Sequence, residues 1–324
     1  MQPAFRSEYA MNNVSMMSDV DKALHRHGKI VTMKCKRLLR PICLCVLVSL
    51  LFIGACDSSP TNPDSPDSQG RFASLLVAFY GLDDALPIVS NQGICEGAAG
   101  KDGMPVIFSH EIDVTTMQKE DFRVTNASGT VGDMTCVTLD PADDIGEFRT
   151  ALFVGQFGDI DDQPVTVEVI GDLYSIDHTL NFKGTSIDVT PLEEGPTLVL
   201  AEIVPEDEWE LGKAATPGPF GGGSGCPEGT TQIVRATWAG GVTKPGGVEI
   251  DDVERVLYQV TVLLEDGDTI DVTPFAIGDL GDGDNNHKLC LDMAGTPRSV
   301  FFPAGYLTDP REDLNPDTTI TISD

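Results

Sequence analysis

Basic and aromatic residues are scarce in this chain. Of 324 residues, 21 are Lys or Arg against 51 Asp or Glu, a formal charge of −30, and only 6% are aromatic. A surface so acidic repels polyanions, which excludes nucleic acid and anionic lipid headgroups as partners. No Cys-x-x-C occurs, so neither a redox dithiol nor a zinc ribbon is indicated. His110-Glu111 lacks the second histidine of a zinc protease helix, and Gly222-Gly-Ser224-Gly-Cys226 has a cysteine where a nucleophile elbow needs its last glycine. The glycine-rich stretch 218–225 (GPFGGGSG) is not followed by Lys-Ser/Thr, so it reads as a flexible loop rather than a phosphate cradle. Past the first 55 residues only His110, His178 and His287 remain, far apart in sequence. Helical periodicity of useful length is also missing. With 41% hydrophobic residues the chain still suffices for a real core.

The longest apolar run, residues 42–53, has Ser49 as its only polar side chain and is too short to cross a bilayer of roughly 30 Å as a helix. Lys34, Lys36, Arg37 and Arg40 precede it, and Gly54-Ala55 bring small residues up to Cys56. That order of charge, apolar core and small residues marks a secretory signal. The tetrad Ile53-Gly54-Ala55-Cys56 resembles the lipobox of bacterial lipoproteins. The resemblance implies cleavage before Cys56, acylation of that cysteine, and a stable anchor at about 0.8 kcal/mol per buried methylene. It places the protein in the bacterial cell envelope, exported and tied to a membrane through lipid. Residues 1–32 are expected to be an upstream extension and 33–55 the signal peptide. The first 55 residues hold 8 basic and 3 acidic side chains, so the remaining 269 carry 13 basic and 48 acidic, a formal −35.

Residues 56–70 form a lipid-anchored Pro/Ser/Asp linker without large apolar side chains after the cysteine; extended, they reach at most about 40 Å. Beyond lie short β-rich runs separated by Gly, Pro, Asp and Asn clusters, the pattern of an all-β protein. They are 72–79, 106–108, 122–125, 134–139, 148–154, 165–170, 187–190, 197–204, 232–238, 255–264, 269–273, 288–291, 299–302 and 318–322. Val256, Tyr258, Val260 and Val262 share one face of a half-buried strand. Residues 191–196 (PLEEGP) are the expected junction of two β-sandwiches, 71–194 and 195–324. A faint repeat relates the halves, aligning Cys136, Leu139, Arg149 and Phe153 with Cys290, Leu291, Arg298 and Phe302. In an oxidising compartment Cys95, Cys136, Cys226 and Cys290 allow three pairings. Pairing within each half, Cys95–Cys136 and Cys226–Cys290, needs no crossing between domains.

Phe108-Ser109-His110-Glu111-Ile112-Asp113, followed by Met117, Asp121-Phe122 and Val124, resembles the opening of a bacterial Ig-like domain. By that resemblance Phe108, Phe122 and Val124 point inward while Asp113 and Asp121 fix turns. Cys226, Trp238 and Cys290 resemble the Cys…Trp…Cys spacing of antibody-type domains, with Lys288 in place of the corner tyrosine. The family implies a binding or spacing scaffold, tandem Ig-like sandwiches that need no cofactor.

The densest polar cluster contains Asp279, Asp282, Asp284 and Asn286. Alternating Asp and Asn in a glycine-rich loop are ligands for calcium, which takes six to eight oxygens. His287 and Met293 occupy the glycine and glutamate positions of an EF-hand, which excludes that motif. A calcium loop between strands and a solvated turn are the two readings left. Trp209, among Glu206, Asp207, Glu208 and Glu210, is the candidate ligand-binding aromatic for an envelope or extracellular ligand. The function expected is a non-enzymatic structural or adhesion-like module. A hydrolase acting on carbohydrate or peptide through clustered carboxylates is the alternative.

Overall fold

The computed structural model describes residues 72–216 and 221–322. Cys56, its lipobox and the linker lie outside the described residues, as do 217–220 of the glycine-rich stretch. The described chain is all-β and builds two sandwiches in sequence.

The first contains β1 (Leu75–Phe79), β2 (Asp102–Phe108), β3 (Phe122–Asn126), β4 (Asp133–Thr138), β5 (Thr150–Gln156), β6 (Pro164–Val169) and β7 (Ser186–Thr190), in the order β3-β6-β7-β1-β2-β5-β4. Every pairing is antiparallel except β1 with β7, where Ala78 faces Val189 and Phe79 faces Thr190. Lettered A to G, these strands form the CFG and ABED sheets of an Ig domain, joined where A meets G. Alternation along the strands fills the space between them. Phe122, entering β3, lies 4.5 Å from Phe153 of β5, and Phe108 meets Phe122 edge-on at 6.5 Å. The turn residues act as the Ig-like resemblance implied. Asp113 accepts the Thr115 amide at 2.9 Å, and Asp121 accepts the Gln118 amide at 2.9 Å.

After residues 191–196 the second sandwich begins. It contains β8 (Leu198–Ile203), β9 (Gln232–Trp238), β10 (Gln259–Leu263), β11 (Thr269–Val272), β12 (Ala276–Gly278), β13 (Asn286–Leu291), β14 (Thr296–Phe302) and β15 (Thr318–Thr321). Its sheets run β12-β13-β9-β8 and β11-β10-β14-β15, the ABED and C′CFG arrangement of a larger Ig domain. A polar relay is built into its core. The Trp238 indole donates to the Tyr258 hydroxyl at 2.8 Å, which frees that hydroxyl to donate to His287 Nδ1 at 2.6 Å. All three side chains are buried, and burial lowers His287 to about 3, so the ring is neutral and structural.

Several expectations need correction. The repeat alignment is one strand out of phase: Cys136 sits on β4 (D) but Cys290 on β13 (E), and Phe153 on β5 (E) but Phe302 on β14 (F). Period-2 apolar patterns match any strand to any other, and the second sandwich carries the additional strand β11. Val256 is 51% exposed, because Asp252–Arg255 forms a helical turn capped by Asp251 and the strand begins only at Gln259. Both intra-half disulfides form, Cys95–Cys136 and Cys226–Cys290. The second is not the inter-sheet bond of antibody domains. Cys290 points away from the sandwich core into a separate cluster with Val204, Ile233 and Cys226, while Trp238 points inward.

Candidate functional site

Strands β9 and β13 pair in register, Arg235 opposite Lys288 and Thr237 opposite Asn286. Val234, Ala236 and Trp238 of β9, with Leu289 and Leu291 of β13, enter the core, so the alternate residues Arg235 and Lys288 project from the outer face. That face is covered rather than solvated, and both side chains are 2% exposed. The cover comes from the first sandwich. Arg235 donates to the Gly146 carbonyl at 2.7 Å and the Ile145 carbonyl at 3.0 Å, and pairs with Glu202 at 2.9 Å. Gly146 has φ +86°, and a Cβ there would stand 2.3 Å from an Arg235 nitrogen, so the approach requires glycine. Glu202 also takes Arg149 of the first sandwich at 2.8 Å. An apolar patch continues the contact: Val77, Phe79 and Ile107 of the first sandwich pack on Ala239 of the second.

Lys288 Nζ lies 3.1 Å from Asp279 and 3.5 Å from Glu147. Burial raises Glu147 well above the usual carboxylate range, helped by the negative charges of Asp284 and Asp279 and opposed by Lys288. Both Glu147 oxygens and Asp279 Oδ2 are buried without a hydrogen-bond donor. A proton retained by Glu147 and donated toward Asp279 satisfies this pair. The positive charges respond in the opposite sense: burial depresses Lys288 and Arg235, but Asp279 and Glu147 beside the first, and Glu147 and Glu202 beside the second, outweigh it and hold both above their ordinary values.

Asp144, Glu147 and Asp279 offer oxygens within 4.8 Å of one another, as do Asp83, Asp84 and Asp102. In the latter set, Asp102 spends its oxygens on the amides of Asp84 at 2.9 Å and Phe157 at 2.6 Å, a turn-fixing role. Of the four residues expected to hold calcium, only Asp279 joins such a set. Asp284 accepts the backbone and side-chain nitrogens of Asn286, each at 2.8 Å, and the Asn286 carbonyl oxygen accepts from Thr237 at 2.8 Å. Asp282 instead borders a cavity between the sandwiches.

That cavity is about 300 Å³. Leu82, Leu86, Ile94, Pro105 and Leu152 form its apolar side, and Gly240, Gly241, Asp282 and Asp284 close it from the second sandwich. Trp209 is no open platform: half-buried, it donates to the Val204 carbonyl at 2.9 Å and packs beside the Cys226–Cys290 bond. His178 bonds Asp113 at 2.7 Å on the surface, and His110 meets Ser109 at 2.9 Å. The glycine-rich loop also serves the charge cluster, with the Gly223 amide donating to Asp144 at 2.8 Å. Sequence reasoning missed Arg235, Lys288, Arg149 and Glu147. For Arg235 and Lys288 the sequence signal is rarity, since basic residues inside apolar strands of a base-poor chain need partners, whereas Arg149 and Glu147 precede β5 and carry no such signal.

Comparison with known proteins finds no matching family model and no matching curated protein. Among solved structures, the chain is similar to the N-terminal part of the bacterial S-layer protein SbsC, at 12% identity over 79% of this chain and 45% of that one, with a TM-score of 0.26. Domains 1–6 of SbsC match at 12% identity over 78% and 26%, with a TM-score of 0.27. Native alpha-2-macroglobulin from Escherichia coli spanning domains MG0-NIE-MG1 matches at 13% identity over 79% and 73%, with a TM-score of 0.25. The chain thus spans under half the length of these S-layer structures. The assignment of Ig-like sandwiches rests on strand order.

Proposed function

We propose that this protein is a non-enzymatic module of the bacterial cell envelope, anchored through lipid on Cys56 and displaying two Ig-like sandwiches as one stiff body. The observation that carries this reading is the seating of Arg235 and Lys288, from the second sandwich, on Glu147 and the carbonyls of Ile145 and Gly146 in the first. In this reading the buried Arg235, bonded at once to Glu202 and to carbonyls of the other sandwich, fixes the geometry of the two. The same observation disfavours the hydrolase alternative, because Glu147 and Asp279 are 2% exposed and turned toward protein cations rather than toward substrate. Stiffness suits a spacer or adhesion-like module that holds a ligand-facing surface away from a membrane. The anchor is tested by metabolic labelling with a fatty acid and detergent-phase partition. The wild type is expected to take up label and enter the detergent phase, and Cys56→Ala to do neither. Equal labelling of both would overturn the anchor.

One observation favours calcium as a stiffening ion. Asp144 and Glu147 of the first sandwich meet Asp279 of the second, and Glu147 offers two oxygens without donors. A cation there would bridge the sandwiches, at the cost of moving the Lys288 ammonium aside and releasing the proton held on Glu147. A melt titrated with calcium against EDTA reads this out: ligand binding to the native state raises the midpoint with concentration. A saturable rise lost in Asp144→Asn supports the bridge. A response no greater than that to magnesium or sodium removes it.

A further inference from the structure

The cavity between the sandwiches has a wall of one charge sign. Its apolar side is contributed by Leu86, Ile94 and Leu152 among others, and among the described residues no Lys, Arg or His lines it. Three acids line it: Asp140, which accepts from the Thr138 hydroxyl at 2.6 Å, and, from the second sandwich, the pair Asp282 and Asp284. These two acids differ in what they have left to offer. Asp284 is consumed by Asn286, whereas Asp282 accepts only one long bond, 3.4 Å from the Asp284 amide, and among the described residues no cation pairs with it. Yet Asp282 is 4% exposed. A carboxylate so withdrawn from water is costly unless a proton or a positive charge joins it. The mouth is apolar too: Pro87 and Val89 line it, and Ile88 between them is 83% exposed.

We propose that this cavity binds a small apolar molecule carrying a single protonated amine, its hydrocarbon against Leu86, Ile94 and Leu152 and its ammonium on Asp282. The volume suits a compact ligand, at the small end of known binding pockets. Fatty acids and other anionic amphiphiles meet an acidic lining with no cation to pair with, and a neutral ligand gains nothing from an Asp282 charge. The proposal deepens the binding half of the reading above but needs neither the lipid anchor nor a bound metal, so its failure leaves the anchor untouched and the reverse also holds.

The test is calorimetric titration of the purified whole chain with cyclohexylmethylamine, cyclohexylmethanol and cyclohexanecarboxylate, three probes of one shape and different charge. The expected result is saturable binding of the amine, at least tenfold tighter than the alcohol, with none of the carboxylate. Asp282→Asn should weaken the amine about tenfold and leave the alcohol unchanged, and Val89→Trp, which fills the mouth from a half-exposed position, should abolish both. Equal affinity for amine and alcohol would overturn the proposal, as would amine binding that survives Val89→Trp, or no saturable binding of the amine by the wild type. The comparison of three probes on the wild type decides the matter even where a variant folds poorly.

Discussion

The guanidinium of Arg235 sits 2.7 Å from the carbonyl oxygen of Gly146, a residue 89 positions earlier in the other sandwich. Its neighbour Glu202, 2.9 Å away, supplies the balancing charge. On the proposed reading this contact joins two sandwiches with separate cores into one stiff body. Removing one partner of a buried charge pair strands the other. Arg235→Met is therefore expected to cost about 3–5 kcal/mol. Gly146→Ala is expected to be harmful by another route, since it sets a Cβ against the same guanidinium. Urea melts of both variants check this, and losses below about 1 kcal/mol would mean that the contact does not fix the sandwiches.

Acid should stabilise this protein over part of the pH range. Glu147, Asp282, Asp284 and Asp309 are all raised, foremost by burial, Asp282 to about 7 and Asp309 to about 6. Groups with raised folded values bind protons more tightly when native, so stability falls as pH climbs from the unfolded carboxylate values through the folded ones. His287 has the opposite sign: lowered to about 3, it supports the fold above its unfolded value near 6.5 and withdraws that support as pH drops. The raised carboxyls outweigh one imidazole between pH 5 and 8, and the lowered ones, such as Asp113 and Asp162, withdraw their support only as pH falls below the usual carboxylate range, which puts the thermal midpoint at its maximum near pH 5, with a decline toward pH 8. A midpoint rising steadily to pH 8 would contradict this.

Glu147→Gln isolates one contributor to that slope. The amide keeps the shape, donates to Asp279 and no longer has a proton to lose. At pH 8 the variant should melt no lower than the wild type, and its decline between pH 5 and 8 should be shallower. A drop of several degrees at pH 8 would show instead that an ionised Glu147 holds Lys288 and Arg235.

The two disulfides should differ in access. Cys226 and Cys290 are fully buried, whereas Cys95 and Cys136 are only partly covered. Each closes a long loop, worth about 4 kcal/mol in the chain-entropy model. Limited reduction followed by alkylation and mass spectrometry should label Cys95 and Cys136 first. Simultaneous labelling of all four would show that the second sandwich opens as readily as the first.

Much of the fold was legible in the sequence, because alternating apolar residues and turn formers are local signals. The run at 232–238 coincides with β9. Legibility fails where a strand is polar. Strand β2 starts at Asp102, four residues before its apolar stretch, and β13 opens on Asn286 and His287, which looked like loop until Thr237 and Tyr258 supplied their partners. The functional residues were harder to read. Asp279 was noticed through its acidic neighbours, but its partners Glu147 and Lys288 lie on other loops and strands, and no spacing rule announces contact across 132 positions of chain. Trp209 was chosen for the charges around it, and the structure turns it onto a disulfide.

The most direct test of the central claim, that the two sandwiches are locked into one body, is differential scanning calorimetry of the purified whole chain and of Arg235→Met. The wild type is predicted to give a single transition whose calorimetric and van't Hoff enthalpies agree, and the variant two separable transitions. Two resolved transitions in the wild type, or one unchanged transition in Arg235→Met, would contradict it.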